Sequence, residues 1–348
     1  MKRVLTFIYL ITLGWSIQAQ DIHFSQFYAV PTTLNPALTG FFSPKTRIAG
    51  IYRSQWASFA PFTTQAVSYE RRVLPALGNK DPGKTTIGGI ALTIVNDKAG
   101  INAGLSTLKG YASTGFNFDL GFMTLGAGAQ LGYVQRNLFG INRFPDQWDA
   151  IRNVFDQSAP TNDNNISPTE TYLDFNAGVL GTKKFGDAVE HRVFLGASVF
   201  HINQPEEKFI NTSFNRMRMR VVVHGGARIR TGESKPISII PSGVYMYIPY
   251  SGSIERNAGL DVEYDFNQVN SNFHGKFMLG GYYRIGDAII AHTAMEFNDF
   301  AVGLSYDINS SELREATNMR GGFELSLRYM PKPLHTVKRL VKDICPTI

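Results

Sequence analysis

From about residue 45 to residue 330 the chain alternates: large apolar side chains fall on every second position, with small or polar ones between them. In Phe323 to Tyr329 the positions Phe323, Leu325, Leu327 and Tyr329 are apolar, and Glu324, Ser326 and Arg328 are polar. Phe300, Val302, Leu304, Tyr306 and Ile308 stand opposite Ala301, Gly303, Ser305 and Asp307. Asp261, Glu263 and Asp265 share one side of the segment from Leu260 to Phe266. A period of two gives a strand one apolar and one wet face. Read this way, the chain predicts fourteen strands, near 45–56, 62–74, 84–96, 103–117, 121–136, 171–182, 191–202, 216–230, 236–248, 253–266, 273–285, 287–297, 299–309 and 317–330. The segment at 103–117 alternates least well.

Two architectures use such strands, a water-soluble sandwich and a membrane barrel. The segments run to about ten residues or more, the length a tilted strand needs to cross a bilayer. The polar face is rich in small residues, as in Thr124, Gly126, Gly128, Gln130 and Gly132, opposite Met123, Leu125, Ala127, Ala129, Leu131 and Tyr133. The reading is therefore all-β, a transmembrane antiparallel barrel over residues 45–330. An even strand count returns both ends to the periplasm. It then puts the two longest connections, 137–170 and 203–215, outside and most of the short ones inside.

The segments outside the strands complete the domain plan. Lys2 and Arg3 followed by apolar Val4 to Trp15 and Ala19 read as a signal peptide over 1–19. No later stretch has eighteen consecutive apolar residues, which excludes a helical membrane protein. Residues 20–44 carry aromatics and three prolines and are too apolar for a disordered leader. They are expected to pack inside the barrel or across its periplasmic mouth. Residues 331–348 form a basic periplasmic tail, either a frayed end or a docking helix with Leu334, Val337, Leu340 and Val341 on one face.

Composition narrows the function. The one cysteine, Cys345, permits no intrachain disulfide. Without Lys2 and Arg3 there are 32 basic and 28 acidic residues, a net of +4, too mild and evenly spread to point to nucleic acid. The seven histidines form no His-Glu-x-x-His pattern, and there is no Cys/His cluster and no Gly-x-Ser-x-Gly elbow. His292 and Glu296 share a face, but four residues separate them by about 13 Å along a strand, too far for a base and its orienting carboxylate. No catalytic residue, metal or cofactor is expected.

The polar face suggests a charged lumen. Arg216, Arg218, Arg220, Arg228 and Arg230 alternate with apolar residues, and Asp261, Glu263 and Asp265 face them two strands on. Arginines set against carboxylates bridge and close a lumen, whereas an unpaired ladder selects anions. Contact with a bound protein segment is a third reading. In the long connections, Phe144, Trp148, Phe155 and Phe209 are candidate partner-binding aromatics. Asn162-Asp163-Asn164-Asn165 lacks the spacing of a dedicated calcium loop and reads as a solvated turn.

Three motifs carry a family resemblance. The first is Phe24-Ser25-Gln26-Phe27-Tyr28 followed by Leu34-Asn35-Pro36-Ala37-Leu38-Thr39-Gly40. The second is Asn203-Gln204-Pro205 after His201-Ile202. The third is Gly303-Leu304-Ser305-Tyr306-Asp307 with the closing strand Phe323 to Tyr329. In their order and spacing they resemble the PorP/SprF family of type IX secretion system membrane proteins. The resemblance implies an integral outer-membrane component of that system in Bacteroidota. It would bind, export or retain a secreted surface protein with a C-terminal sorting domain, such as a gliding adhesin, and would meet periplasmic and outer-membrane type IX components and outer-membrane lipid. Two other roles stay open: a diffusion channel for small solutes, and a structural barrel that braces the periplasmic apparatus. The motif residues Phe24, Ser25, Gln26, Asn35, Pro36, Ala37, Asn203, Gln204, Pro205, Gly303, Ser305, Tyr306 and Asp307 are expected to stabilise the fold. The chain departs from the family in running on past Tyr329, where members often stop.

Overall fold

The computed structural model describes residues 22–331, except 43, 57–60, 74–86, 101–103, 139–147, 150–151, 153, 157–158, 160–168, 187–190, 208–214, 233–235, 250, 267–274 and 313. The signal-peptide segment 1–19, nearly all of the basic tail, Phe144 and Phe209 lie outside the described residues.

Alternation becomes strand where predicted. The strands are β1 (Thr46–Gln55), β2 (Phe62–Val73), β3 (Ile87–Ala99), β4 (Leu105–Asp119), β5 (Thr124–Leu138), β6 (Trp148–Asp149), β7 (Val154–Phe155), β8 (Thr169–Phe185) and β9 (His191–Phe200). They continue with β10 (Glu206–Glu207), β11 (Asn215–Arg216), β12 (Arg220–Arg230), β13 (Ile237–Ile248), β14 (Ser253–Asp265), β15 (Gly275–Arg284), β16 (Ala288–Phe297), β17 (Phe300–Asn309) and β18 (Arg320–Tyr329). Fourteen of them close an antiparallel barrel in chain order, with β1 paired to β18. The short strands β6–β7 and β10–β11 form two separate hairpins within the long connections, outside the barrel ladder, and Glu207 of β10 pairs with Arg136 of β5 at 2.6 Å. The wall surrounds residues 22–42, which include two 3-10 turns, Pro31–Thr33 and Pro36–Leu38.

The wall carries apolar side chains on its outer face and buried charges on its inner one. Leu92 (63%), Ile94 (60%), Leu195 (65%) and Leu279 (60%) are exposed on the outer face. Glu70, Asp174, Glu263 and Glu324 are buried on the inner one. A bilayer supplies the apolar surroundings the outer face needs, and closure pairs every strand edge, so no backbone polar groups are left in hydrocarbon. Aromatics girdle both rims. Tyr52, Tyr133, Tyr245, Tyr283, Tyr306 and Phe323 lie toward the end that bears the long connections, here the long-loop end. Phe116, Phe118, Phe185, Phe277, Phe297 and Phe300 lie toward the other, the short-turn end.

The strand at 103–117, the weakest on pattern, is the full-length β4, because its inner face holds Thr107, Lys109, Tyr111, Ser113 and Asn117. Two bounds move. The strand expected at 84–96 runs 87–99, and its polar end is held inside the ladder, where Thr64 Oγ1 donates to Asp97 at 2.5 Å. The strand expected from 216 starts at Arg220: Arg216 belongs to the β10–β11 hairpin, and Met217 N donates to the Pro205 carbonyl. Alternation continued past the point where the chain leaves the wall, and pattern alone does not register that exit.

Candidate functional site: a lumen filled by the chain's own leader

Residues 22–42 traverse the lumen lengthwise. At the short-turn end, Arg47 near the start of β1 donates to Glu70 (2.7 and 2.9 Å) and to the Leu38 carbonyl, and Gly40 N donates to Glu70. At the long-loop end, Arg220, the first residue of β12, donates to the Ile22 carbonyl at 2.9 Å, and His23 faces Glu255 near the start of β14 at 3.5 Å. The leader therefore enters beneath β1 and climbs toward the long-loop mouth. Burial holds the His23 imidazole below its ordinary range, despite the opposing pull of Glu255.

The middle of the leader is apolar and shaped by its prolines. Phe27, Tyr28, Leu34, Ala37, Leu38, Phe41 and Phe42 form one buried cluster with Phe194, Val222, Val244 and Tyr282 of the wall. Phe24 and Val30 pack on Ala49, Ile51 and Ala66 on another side. Each 3-10 turn opens on a proline, whose fixed φ suits a helical start and whose missing N–H needs no partner there. Asn35 caps the second turn by accepting from Ala37 N at 2.9 Å. Its Nδ2 reaches the Val179 carbonyl (2.9 Å) and His224 Nε2 (3.0 Å), and His224 Nδ1 meets the Tyr28 hydroxyl at 3.1 Å. The wall is cut back to admit this segment. A Cβ at Gly178 would collide with the Asn35 carboxamide, and one at Gly128 with the Pro36–Ala37 backbone.

The tip is held by charge. Ser25 N and Gln26 N donate to the two oxygens of Glu324 at 2.7 and 2.8 Å. Ser25 Oγ accepts from Arg53 (2.8 Å) and Arg284 (2.5 Å), and faces both oxygens of Asp307 at 2.7 and 2.8 Å. Arg53 also pairs with Glu324 and, at 3.1 Å, with Asp307. Gln26 reaches Ser305 (3.3 Å) and accepts from Ser326 (2.7 Å). Two arginines and two carboxylates, all nearly fully buried, thus balance one another around one serine hydroxyl. Buried charges persist only when paired and hydrogen-bonded in this way.

The remaining motif residues divide by role. Phe24, Pro36 and Ala37 are buried in the leader core, and Gly303 leaves room for Gln26. Asn203 prolongs the sheet beyond β9: its side chain donates to the Leu173 carbonyl (2.7 Å) and accepts from Phe175 N (3.1 Å). His201 and Gln204 take positive φ to make that turn, Pro205 is buried, and His201 Nδ1 pairs with Asp174 at 2.8 Å. Tyr306 faces outward.

The charges expected in the lumen separate. Arg220 is buried and also lies over the Phe200 ring at 4.4 Å, and Arg228 pairs with Glu263, which Lys276 approaches at 3.9 Å. Asp261 binds His292 (2.7 Å) and Tyr282 (2.5 Å), while Asp265 and Arg230 are half-buried. Arg216 and Arg218 depart from the expectation of five arginines directed inward from one strand. Both are exposed beyond the start of β12, and Arg216 lies 3.6 Å from Glu206 in the loop hairpin. Of the loop aromatics, Trp148 is exposed, and its backbone register partner in the β6–β7 hairpin is residue Phe155. Sequence reasoning measured His292 against Glu296 on its own strand and, although it placed Asp261 in the lumen, missed it as the partner of His292 from two strands away in the sheet. It also missed His224, Arg53, Arg284 and Glu324. Polar residues at inward positions flag such groups, but one strand's alternation cannot name their partners. Among the described residues, no group of three or more His, Cys, Asp or Glu is placed to hold a metal ion.

An outward apolar belt, a closed ladder and a lumen occupied by the chain's own leader define an integral outer-membrane β-barrel. A profile of the type IX secretion system membrane protein PorP/SprF matches residues 16–329. The chain belongs to the PorP/SprF family. No curated protein matches it. Among solved structures it is similar to the Pseudomonas putida toluene transporter TodX, at 10% identity over 87% of this chain and 93% of that one, with a TM-score of 0.46. It is also similar to the β domain of the Bordetella autotransporter BrkA, at 11% identity over 83% and 99%, with a TM-score of 0.34.

Proposed function

We propose that this protein serves type IX secretion as a plugged outer-membrane platform that binds, exports or retains a secreted surface protein, such as a gliding adhesin. Family membership supports a place in the secretion system and contact with its components. The observation that carries the finer reading is the leader, which occupies the lumen from Arg47 at one end to Arg220 at the other. A lumen filled this way and lined by paired charges is poorly suited to a diffusion channel, so the partner is met at the loops or rims and not conducted. The cargo is a surface protein with a C-terminal sorting domain, and exposed Trp148 marks one loop where it docks. The protein performs no bond chemistry and needs no cofactor. The motif residues act by fastening the leader and its turns.

The test is purification of the tagged protein from its native outer membrane in mild detergent, with identification of what accompanies it. Co-purification of a secreted surface protein through its sorting domain supports the platform. Recovery of the barrel alone, with stable conductance in a planar bilayer, overturns it in favour of the channel. Normal surface display after deletion of 331–348 counts against the tail as a periplasmic brace.

A further inference from the structure

A barrel must join its first strand to its last, and here eight residue pairs hold β1 to β18, against ten between β1 and β2. The tip of the leader sits on that seam. Arg53 of β1 and Glu324 of β18 face each other in the register across it. Glu324 also receives the backbone N–H groups of Ser25 and Gln26. The Ser25 hydroxyl lies between Arg53 on one side of the seam and Asp307 of β17 on the other. Gln26 then binds Ser326 of β18 and Ser305 of β17. On the β1 side, Ala49 and Ile51 pack on Phe24 and Val30 of the leader. One short segment therefore touches both sides of the joint and completes a charge cluster that neither side completes alone. Without Ser25, two arginines and two carboxylates would crowd a buried space with their hydrogen bonds incomplete, and buried polar groups left unpaired oppose the state that buries them.

We propose that the inner wall around Arg53, Arg284, Asp307 and Glu324 is a peptide-binding site whose ligand is the chain's own Phe24-Ser25-Gln26 segment. Binding of this segment locks the β1–β18 seam. Closure of the barrel and docking of the leader are then one event, and the leader is a keystone, not a gate that swings out while the barrel stays shut.

The test uses the full chain with Cys345→Ser, so that introduced cysteines stand alone. Tyr52→Cys with Leu325→Cys reports the seam, since these residues are register partners on the outer face. Tyr69→Cys with Leu92→Cys reports the β2–β3 joint in the same way. Facing residues of an antiparallel pair lie about 4.5–5.5 Å apart at Cα, within the span of a disulfide. Both pairs should oxidise readily in the refolded parent. Ser25→Leu with Gln26→Leu should slow the seam disulfide about tenfold or more and leave the β2–β3 disulfide unchanged. Equal rates for both joints in that variant overturn the proposal. If the variant does not fold and both disulfides are lost, Ser25→Ala decides by amide exchange: faster exchange confined to β1, β17 and β18 supports the keystone, and uniform exchange across all strands overturns it.

Discussion

Replacing Glu324 with Gln should release the tip of the leader, and the size of the effect follows from its partners. The carboxylate is 0% exposed and accepts from Ser25 N at 2.7 Å, Gln26 N at 2.8 Å, Ser305 at 3.2 Å and the Arg53 guanidinium. A hydrogen bond to an ionised group contributes about 1.5–3 kcal/mol net. Glutamine keeps one acceptor oxygen, but turns an NH2 toward either Arg53 or a leader N–H and leaves Arg53 short of a countercharge. Removing one partner of a buried ion pair costs about 3–5 kcal/mol. Taking the lower figure, local opening at residues 25 and 26 becomes easier by about 3 kcal/mol, which speeds amide exchange there by roughly 100-fold. Hydrogen exchange with mass spectrometry on the detergent-solubilised protein reads this directly, with the β3–β5 strands as internal reference. Exchange at residues 25 and 26 within about threefold of the parent would mean an effect under ~0.7 kcal/mol. That result would refute the view that buried charge holds the leader.

Three further outcomes are expected. Leu279→Arg places a cation on the lipid face of β15 and should lower stability by about 2–4 kcal/mol in urea titrations of the protein folded into lipid, and wild-type stability would place Leu279 outside the hydrocarbon. His224→Ala strips partners from the Tyr28 hydroxyl and Asn35 Nδ2 and should cost about 1–3 kcal/mol in the same titration, with faster exchange at residues 28–37. His23 has a folded-state pKa below its unfolded value of about 6.5, so its contribution is fully present above that value and is lost as pH falls from there toward the folded pKa. Exchange at residues 22–24 should therefore rise on acidification through this window, and His23→Gln should abolish the rise.

The leader shows how far the sequence reaches. The chemistry of residues 20–44 is legible at once: Phe24, Phe27 and Tyr28 are too apolar for free chain, whereas the turns that Pro31 and Pro36 open belong to the structure. The small inward residues Gly126, Gly128 and Gly178 are equally visible, as the polar face of two strands. Nothing along the chain says that Gly178 is small for the sake of Asn35, 143 residues earlier, because that relation exists only once the sheet has curled shut.

Alternation by itself determined fourteen strands, their lipid-facing residues and the even closure, because side-chain direction in a strand repeats every two residues and is read without tertiary knowledge. It misplaced the start of β12, since Arg216 and Arg218 alternate as well outside the wall as inside it. Only the tertiary structure decided the lumen. His292 is paired with Asp261 and not Glu296, Arg228 with Glu263, and Arg53, Arg284, Asp307 and Glu324 with Ser25. Partner choice in a barrel depends on strand register, tilt and the curvature that brings distant strands face to face. Those quantities belong to the closed sheet as a whole and have no local record in the residues that form it.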